Sequence, residues 1–303
     1  MKEKFAEHRF TPQSLRQIEI INGILEEYRR MRFKLSLRQL YYQLVARDYI
    51  ENSVRSYKRI GELVAAARMA GLIDWDMIED RNRETVMNTH WASPAEIVRA
   101  AANGFRIDRW EGQIAYCEVM VEKDALSGIL LPVCRELDVR FAANKGYSSA
   151  SAMYEAGKRF RAVAADYDSQ VEEYHLFYLG DHDPSGIDMT RDVRERLLTF
   201  VGLGEEFPLE VHRLALNYDQ IEQWNPPENP AKESDSRYAD YARRFGESSW
   251  ELDAVEPRTL ATLLREAILE LIDRAEWEKV ADKERRMRAD LERLADEYEA
   301  RKG

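Results

Sequence analysis

A chain of 303 residues with 45% hydrophobic residues is long enough for two domains and apolar enough to bury a core. Its net charge of −11 argues against nucleic-acid binding over the whole surface, and neither an 18-residue apolar run nor an N-terminal apolar segment marks it for a membrane or for export. Cys117 and Cys134 lie in apolar stretches and read as reduced core residues, so the expectation is a soluble, cytoplasmic protein.

Apolar positions at helical spacing (Leu15, Ile18, Ile21, Leu25, Tyr28) predict a helix over residues 14–30. Ser36 and Gln39 form a capping-box signature for a second helix, "SLRQLYYQLVARDYI". A third is expected from about Ser56 to Ala70, stopped by Gly71, and "GLIDWDMIED" alternates as a short strand or wing would. Ten Lys or Arg fall between Arg29 and Arg68, opposed only by Asp48, Glu51 and Glu62. This order of elements and local basic surplus resemble a winged helix-turn-helix, with Arg55, Lys58 and Arg59 on the recognition helix as the expected DNA contacts. Ser93, Pro94 and Glu96 start a linker helix.

From residue 112 strands and helices alternate. Residues 114–121, "VRFAA", "YHLFYLG" and "LEVHRLAL" predict four strands, with helices at 125–137, 148–166 and 187–200 between them. Such alternation implies a parallel sheet covered on both faces. Residues 225–237 read as a loop, and helices dominate from Pro257, ending in a charged amphipathic stretch suited to packing or dimerisation. The expected division is 1–92, a DNA-binding domain; 93–111, a linker; 112–255, an α/β domain; and 256–303, a helical extension.

Ligands of an open parallel sheet bind at the carboxyl ends of its strands. Glu122 ends the first α/β strand, and Asp181 and Asp183 end the third, within "FYLGDHDPSGID". Carboxylates about 4 Å apart repel by about 4 kcal/mol per pair at an effective dielectric of ~20. A convergent set therefore calls for protons or a cation, and all-oxygen ligands suit Mg²⁺. The helix that follows offers its N-terminus to phosphate. The simpler alternative makes Asp181 a helix cap and Asp183 a turn residue.

"VEKDALSGIL", "NKGYSS" and "LGDHDPSGID", in that order, resemble a TOPRIM domain, and more narrowly the A subunit of type IIB topoisomerases (topoisomerase VI) and the related meiotic double-strand-break transesterase. The resemblance covers roughly residues 30 to 200. It implies that Glu122, Asp181 and Asp183 hold Mg²⁺, and that Lys145, Gly146 and Tyr147 match a "KGYP" loop in which Ser148 replaces proline. It also implies a winged helix upstream and a nucleophilic tyrosine, which "RQLYY" aligns to Tyr42, with Gln39 where the family has aspartate. In that family the tyrosine of one chain often faces the metal of another, so a homodimer is expected. Text like "PAKESDSR" (Pro230 to Arg237) and "WELDA" (Trp250 to Ala254) is similar to uncharacterised bacterial and phage TOPRIM proteins.

A tyrosine with a pKa of ~10 is about one part in a thousand ionised at pH 7, so attack on a phosphodiester needs help. Arg38, one turn before Tyr42, is the expected partner of phenolate or phosphate, and Tyr41 is assigned to the core. Lys123 and Lys145 are further phosphate contacts. Glu251 and Asp253 are either neighbours of the metal ligands or a plain acidic pair. The five histidines look scattered; His182 is either a phosphate contact or a solvent-facing turn residue. No P-loop is present, so an ATP-driven reaction would need a separate ATPase subunit. Three functions stay open: Mg²⁺-dependent DNA cleavage by tyrosine transesterification, a hydrolytic TOPRIM nuclease, and a DNA-binding protein without catalysis.

Overall fold

The computed structural model describes residues 2–301 except 32, 79–87, 89, 145–148, 167–168 and 205. The chain begins with three helices around one core. Helix α1 (Pro12–Arg30) starts with proline in its first turn, and the Thr11 hydroxyl accepts from Ser14 N at 3.1 Å. Its buried stripe of Ile18, Ile21, Ile24, Leu25 and Tyr28 follows the 3.6-residue period. Helix α2 (Leu37–Ala46) is opened by a complete capping box: Ser36 Oγ accepts from Gln39 N at 3.2 Å, and Gln39 Oε1 from Ser36 N at 2.7 Å. Helix α3 (Val54–Met69) turns Ile60, Val64 and Ala67 inward against Tyr28, Leu40 and Leu44.

The expected wing strand is not there among the described residues. Residues 75–77 form a single 3-10 turn, and only an isolated bridge joins Leu35 to Ile78. The cause is local. The Arg68 guanidinium donates to the carbonyls of Trp75 and Ile78 and lies 4.7 Å over the Trp75 ring, taking up groups that a strand would pair. Asp74 caps the turn by accepting from Asp76 N. The last two residues of the expected wing, 79 and 80, lie outside the described residues.

Helix α4 (Pro94–Gly104) leads to a sheet whose elements follow in sequence: β1 (Ala115–Val121), α5 (Ser127–Glu136), β2 (Arg140–Ala143), α6 (Ala150–Ala164), β3 (Glu173–Leu179), α7 (Pro184–Val201) and β4 (Leu209–Ala215). The four strands are parallel, in the order β2-β1-β3-β4. The chain leaves β1 toward β2 and returns past β1 to β3, so the β1/β3 boundary is the point where winding reverses. Phe177 and Leu179 of β3 join the α5 side of the core, whereas Tyr174, Leu176 and Tyr178 pack on α6 and α7. Helices α6 and α7 approach so closely that a Cβ on Gly157 would lie 2.5 Å from Phe200 Cβ.

After helix α8 (Tyr218–Trp224), the region expected to be a loop contributes β5 (Glu228–Pro230), which pairs antiparallel, across α9 (Tyr238–Phe245), with β6 (Ser248–Trp250). Helix α10 (Pro257–Glu270) covers the α5 side of the sheet. The final helix, α11 (Arg274–Ala300), packs along α4: Arg99 pairs with Asp296 and Glu299, and buried Glu284 receives Arg109 and Arg288. Both cysteines are free and buried. Among the described residues no helix is long and apolar enough to cross a membrane.

Candidate metal and phosphate site

The parallel register sets Val121 beside Leu179, so Glu122 and the Gly180–Asp181 turn emerge side by side at the winding reversal. Glu122 Oε2 accepts from Asp181 N at 2.9 Å. With the residue only 7% exposed, burial and the neighbouring Asp181 push the Glu122 carboxyl up to about 7. Burial also raises Asp181, against the pull of Lys123, whose Nζ lies 2.5 Å from its Oδ2. Asp181 Oδ1 accepts from Leu252 N at 2.9 Å. Asp183 turns elsewhere: its Oδ1 accepts from Gly186 N at 2.5 Å and Ser185 Oγ at 2.8 Å, making it the cap of α7. The helix-cap alternative thus falls on Asp183 and not on Asp181.

A third strand end completes the cluster. His182 and Trp250 exchange both backbone hydrogen bonds at 2.9 Å, which ties β6 to the Asp181–Asp183 turn. The chain beyond β6 therefore delivers Glu251 and Asp253 directly to the acidic end of the sheet. Glu251 Oε2 takes both Lys123 Nζ and Arg38 Nη2, the latter at 2.5 Å. Burial opposes ionisation of Glu251, but Lys123 and Arg38 outweigh it and hold the carboxyl below its usual range. Asp253, 2% exposed, is pushed up to about 6 by burial. Arg38 Nε approaches its Oδ2 to 3.2 Å, yet neither carboxylate oxygen is in a hydrogen bond.

Lys123, expected as a phosphate contact, is engaged by the carboxylates of Asp181 and Glu251. Lys145 lies outside the described residues. The Glu122, Asp181 and Asp183 oxygens do not close on one point, because Lys123 takes Asp181 and the α7 cap takes Asp183. Among the described residues the one set of three His, Cys, Asp or Glu donors lying within 4.8 Å of one another is His175, Glu210 and His212, elsewhere on the sheet.

Two residues near the turn have roles that sequence reasoning missed or misplaced. Arg213, near the end of β4, is half-buried and sends its guanidinium to the carbonyls of Gly180, Asp181, Gly186 and Leu216 and to Thr190 Oγ1. It anchors the backbone of the turn. The only sequence signal was an arginine in a strand that pairs with β3. His182 is neither solvent-facing nor aimed at phosphate. Its Nδ1 lies 2.8 Å from Tyr241 Oη, within a cage of Tyr218, Phe245 and Trp250, and burial, aided by Arg213, lowers its pKa to about 4.

Helix α2 rests on this chain's own 252–254 segment, with Tyr41, Tyr42 and Ala254 in one apolar cluster. Tyr41 Oη donates to Asn52 Oδ1 at 2.9 Å and accepts from Ser53 N at 2.8 Å, as befits a core residue. Tyr42 is 5% exposed, with the Arg38 guanidinium 5.8 Å from its ring centre. Burial first, then Glu251, raises its pKa, while Arg38 and Asn229 pull it down. Arg55, Lys58 and Arg59 share an exposed face of α3 and have no partner among the described residues. Arg29, Arg38, Arg47 and Arg68, by contrast, are held by protein groups.

No family model matches the chain, and no curated protein matches it.

Proposed function

We propose that this chain is a divalent-metal-dependent DNA-cleaving protein of TOPRIM type, built as a winged-helix-like module on a TOPRIM-like sheet, with Tyr42 as its nucleophile. The observation that carries the reading is the continuous chain of contacts from the Tyr42 helix to the acidic strand ends: Arg38 to Glu251, Glu251 to Lys123, Lys123 to Asp181. The donor set fits a hard cation, because it is all carboxylate and includes Asp253, whose two buried oxygens make no hydrogen bond. Glu122, Asp181 and Asp183, with Glu251 and Asp253 beside them, would hold Mg²⁺ once Lys123 leaves Asp181 and Asp183 turns out of the α7 cap. Bound there, Mg²⁺ supplies neutralisation of phosphate charge and of the departing oxygen.

In the cleavage step Tyr42 Oη bonds to phosphorus, the bond from phosphorus to the 3′ oxygen breaks, the phenolic proton is lost and the 3′ oxygen gains one. The tyrosine ends joined to a 5′ phosphate. Arg38 is the cation at hand for the phenolate, and Arg55, Lys58 and Arg59, without partners among the described residues, are cations for the DNA backbone. Cutting both strands would call on a homodimer, and coupling to ATP on a separate ATPase subunit. Plasmid cleavage in Mg²⁺ tests the reading: it should be lost in both Tyr42→Phe and Asp181→Asn. Retention of cutting by Tyr42→Phe, with loss in Asp181→Asn, supports the second reading, hydrolysis by water. That reading is favoured by the burial of Tyr42 and its raised pKa.

A further inference from the structure

We propose that His175, His212 and Glu210 form a second metal site, for a borderline transition-metal ion of the Zn²⁺ type, separate from the carboxylate cleft. Strand alternation places these residues, with Glu173, on the face of β3 and β4 that carries Phe177, near the strands' starts. His175 lies six residues before Asp181, so about 20 Å of strand separates the two sites.

His175 Nδ1 lies 2.9 Å from His212 Nε2, which in turn lies 3.4 Å from Glu210 Oε2, and the three donors all fall within 4.8 Å of one another. Zn²⁺ bonds of about 2.0–2.1 Å at tetrahedral angles put ligand atoms roughly 3.3 Å apart, so the observed spacings need only small rotations. The contact on the far side of His175 favours metal as well. Glu173 Oε2 lies 3.4 Å from His175 Nε2, a carboxylate placed to hold the proton there and leave the Nδ1 lone pair for a ligand. Imidazole nitrogens select Zn²⁺-like ions, where the all-oxygen cleft suits Mg²⁺. Glu210 and His212 are accessible from solvent, so ions can enter and water can take a fourth position.

The test uses tag-free full-length protein, stripped with chelator and desalted, then titrated with Zn²⁺ against a chromophoric chelator and with Co²⁺ by visible absorption. One equivalent should bind, with a tetrahedral Co²⁺ spectrum. His212→Gln, at a surface position, should weaken binding by at least about 100-fold, and Glu173→Gln by about 10- to 100-fold through loss of ligand orientation. Asp181→Asn should leave Zn²⁺ affinity unchanged, which separates this site from the proposed Mg²⁺ cleft. Equal binding by wild type and His212→Gln, no binding by wild type, or loss of binding in Asp181→Asn would each overturn the proposal.

Discussion

Arg38 reaches from α2 to Glu251, its Nη2 2.5 Å from Oε2, and that same oxygen receives Lys123. The helix carrying Tyr42 is therefore clamped onto the acidic strand ends of its own chain, where the family resemblance anticipates an encounter between chains. The clamp neutralises part of a cluster that would otherwise repel itself. It also engages the two cations, Arg38 and Lys123, that sequence reasoning assigned to phosphate or phenolate.

Loss of Lys123 should expose that balance. Removing one partner of a buried pair costs about 3–5 kcal/mol, because the other charge stays behind. Lys123→Met should lower Tm markedly in EDTA, and millimolar Mg²⁺ should restore it by more than it stabilises wild type. Equal destabilisation with and without Mg²⁺, read by thermal melts, would count against a cation site at Asp181 and Glu251.

The pH dependence of the metal-free protein follows from Glu122. Its folded-state pKa of about 7 exceeds the usual 4.5, so its contribution to stability is full below pH 4.5 and is lost as pH rises through 7. The loss amounts to about 3 kcal/mol for Glu122 alone, and Asp253, pushed up to about 6, acts in the same direction. Glu122→Gln keeps the oxygen that accepts from Asp181 N but cannot ionise. In EDTA it should be more stable than wild type at pH 8 and about equal at pH 4.5. Chemical denaturation at the two pH values checks this, and a gain of the same size at both would refute the electrostatic cause.

Gly186 makes a steric test of the turn. A Cβ there would lie 2.2 Å from the Asp181 carbonyl oxygen, which is backbone already held by Arg213. Gly186→Ala should cost about 3 kcal/mol, at the top of the usual overpacking range, and displace Asp181. The readout is a fall in Tm together with loss of Mg²⁺ response. A fully stable variant that keeps its Mg²⁺ response would mean that the turn relaxes around a methyl group without moving Asp181.

If Arg55, Lys58 and Arg59 each neutralise one DNA phosphate, their joint replacement by alanine should reduce the slope of log affinity against log salt by about 3. Fluorescence anisotropy at several salt concentrations measures it. An unchanged slope would move the DNA surface away from α3.

Much of this arrangement was legible in the sequence, and the rest was hidden for physical reasons. Continuous apolar runs ending in acids disclosed β1 and β3, because strands buried on both faces need no polar alternation. The capping box of Ser36 and Gln39 located α2 for the same kind of local reason. The β5–β6 pair was obscured: each strand has three residues, and β5 lies among prolines that read as loop. Without that pairing nothing in the sequence joined Glu251 and Asp253 to Asp181. His175 and His212 looked scattered because only strand register brings residues 37 apart into contact. Among the described residues of the expected wing a 3-10 turn stands in place of a strand, with Arg68, a single side chain, on the carbonyls of Trp75 and Ile78.

A covalent bond between Tyr42 and DNA is read most directly by mass spectrometry of tryptic peptides after reaction with Mg²⁺ and plasmid, following nuclease digestion. If Tyr42 is the nucleophile, the peptide containing it carries a 5′-linked nucleotide that is absent in Asp181→Asn. Cut DNA bearing free 5′ phosphates, with an unmodified Tyr42 peptide, would contradict it and leave the acidic strand ends to a hydrolase.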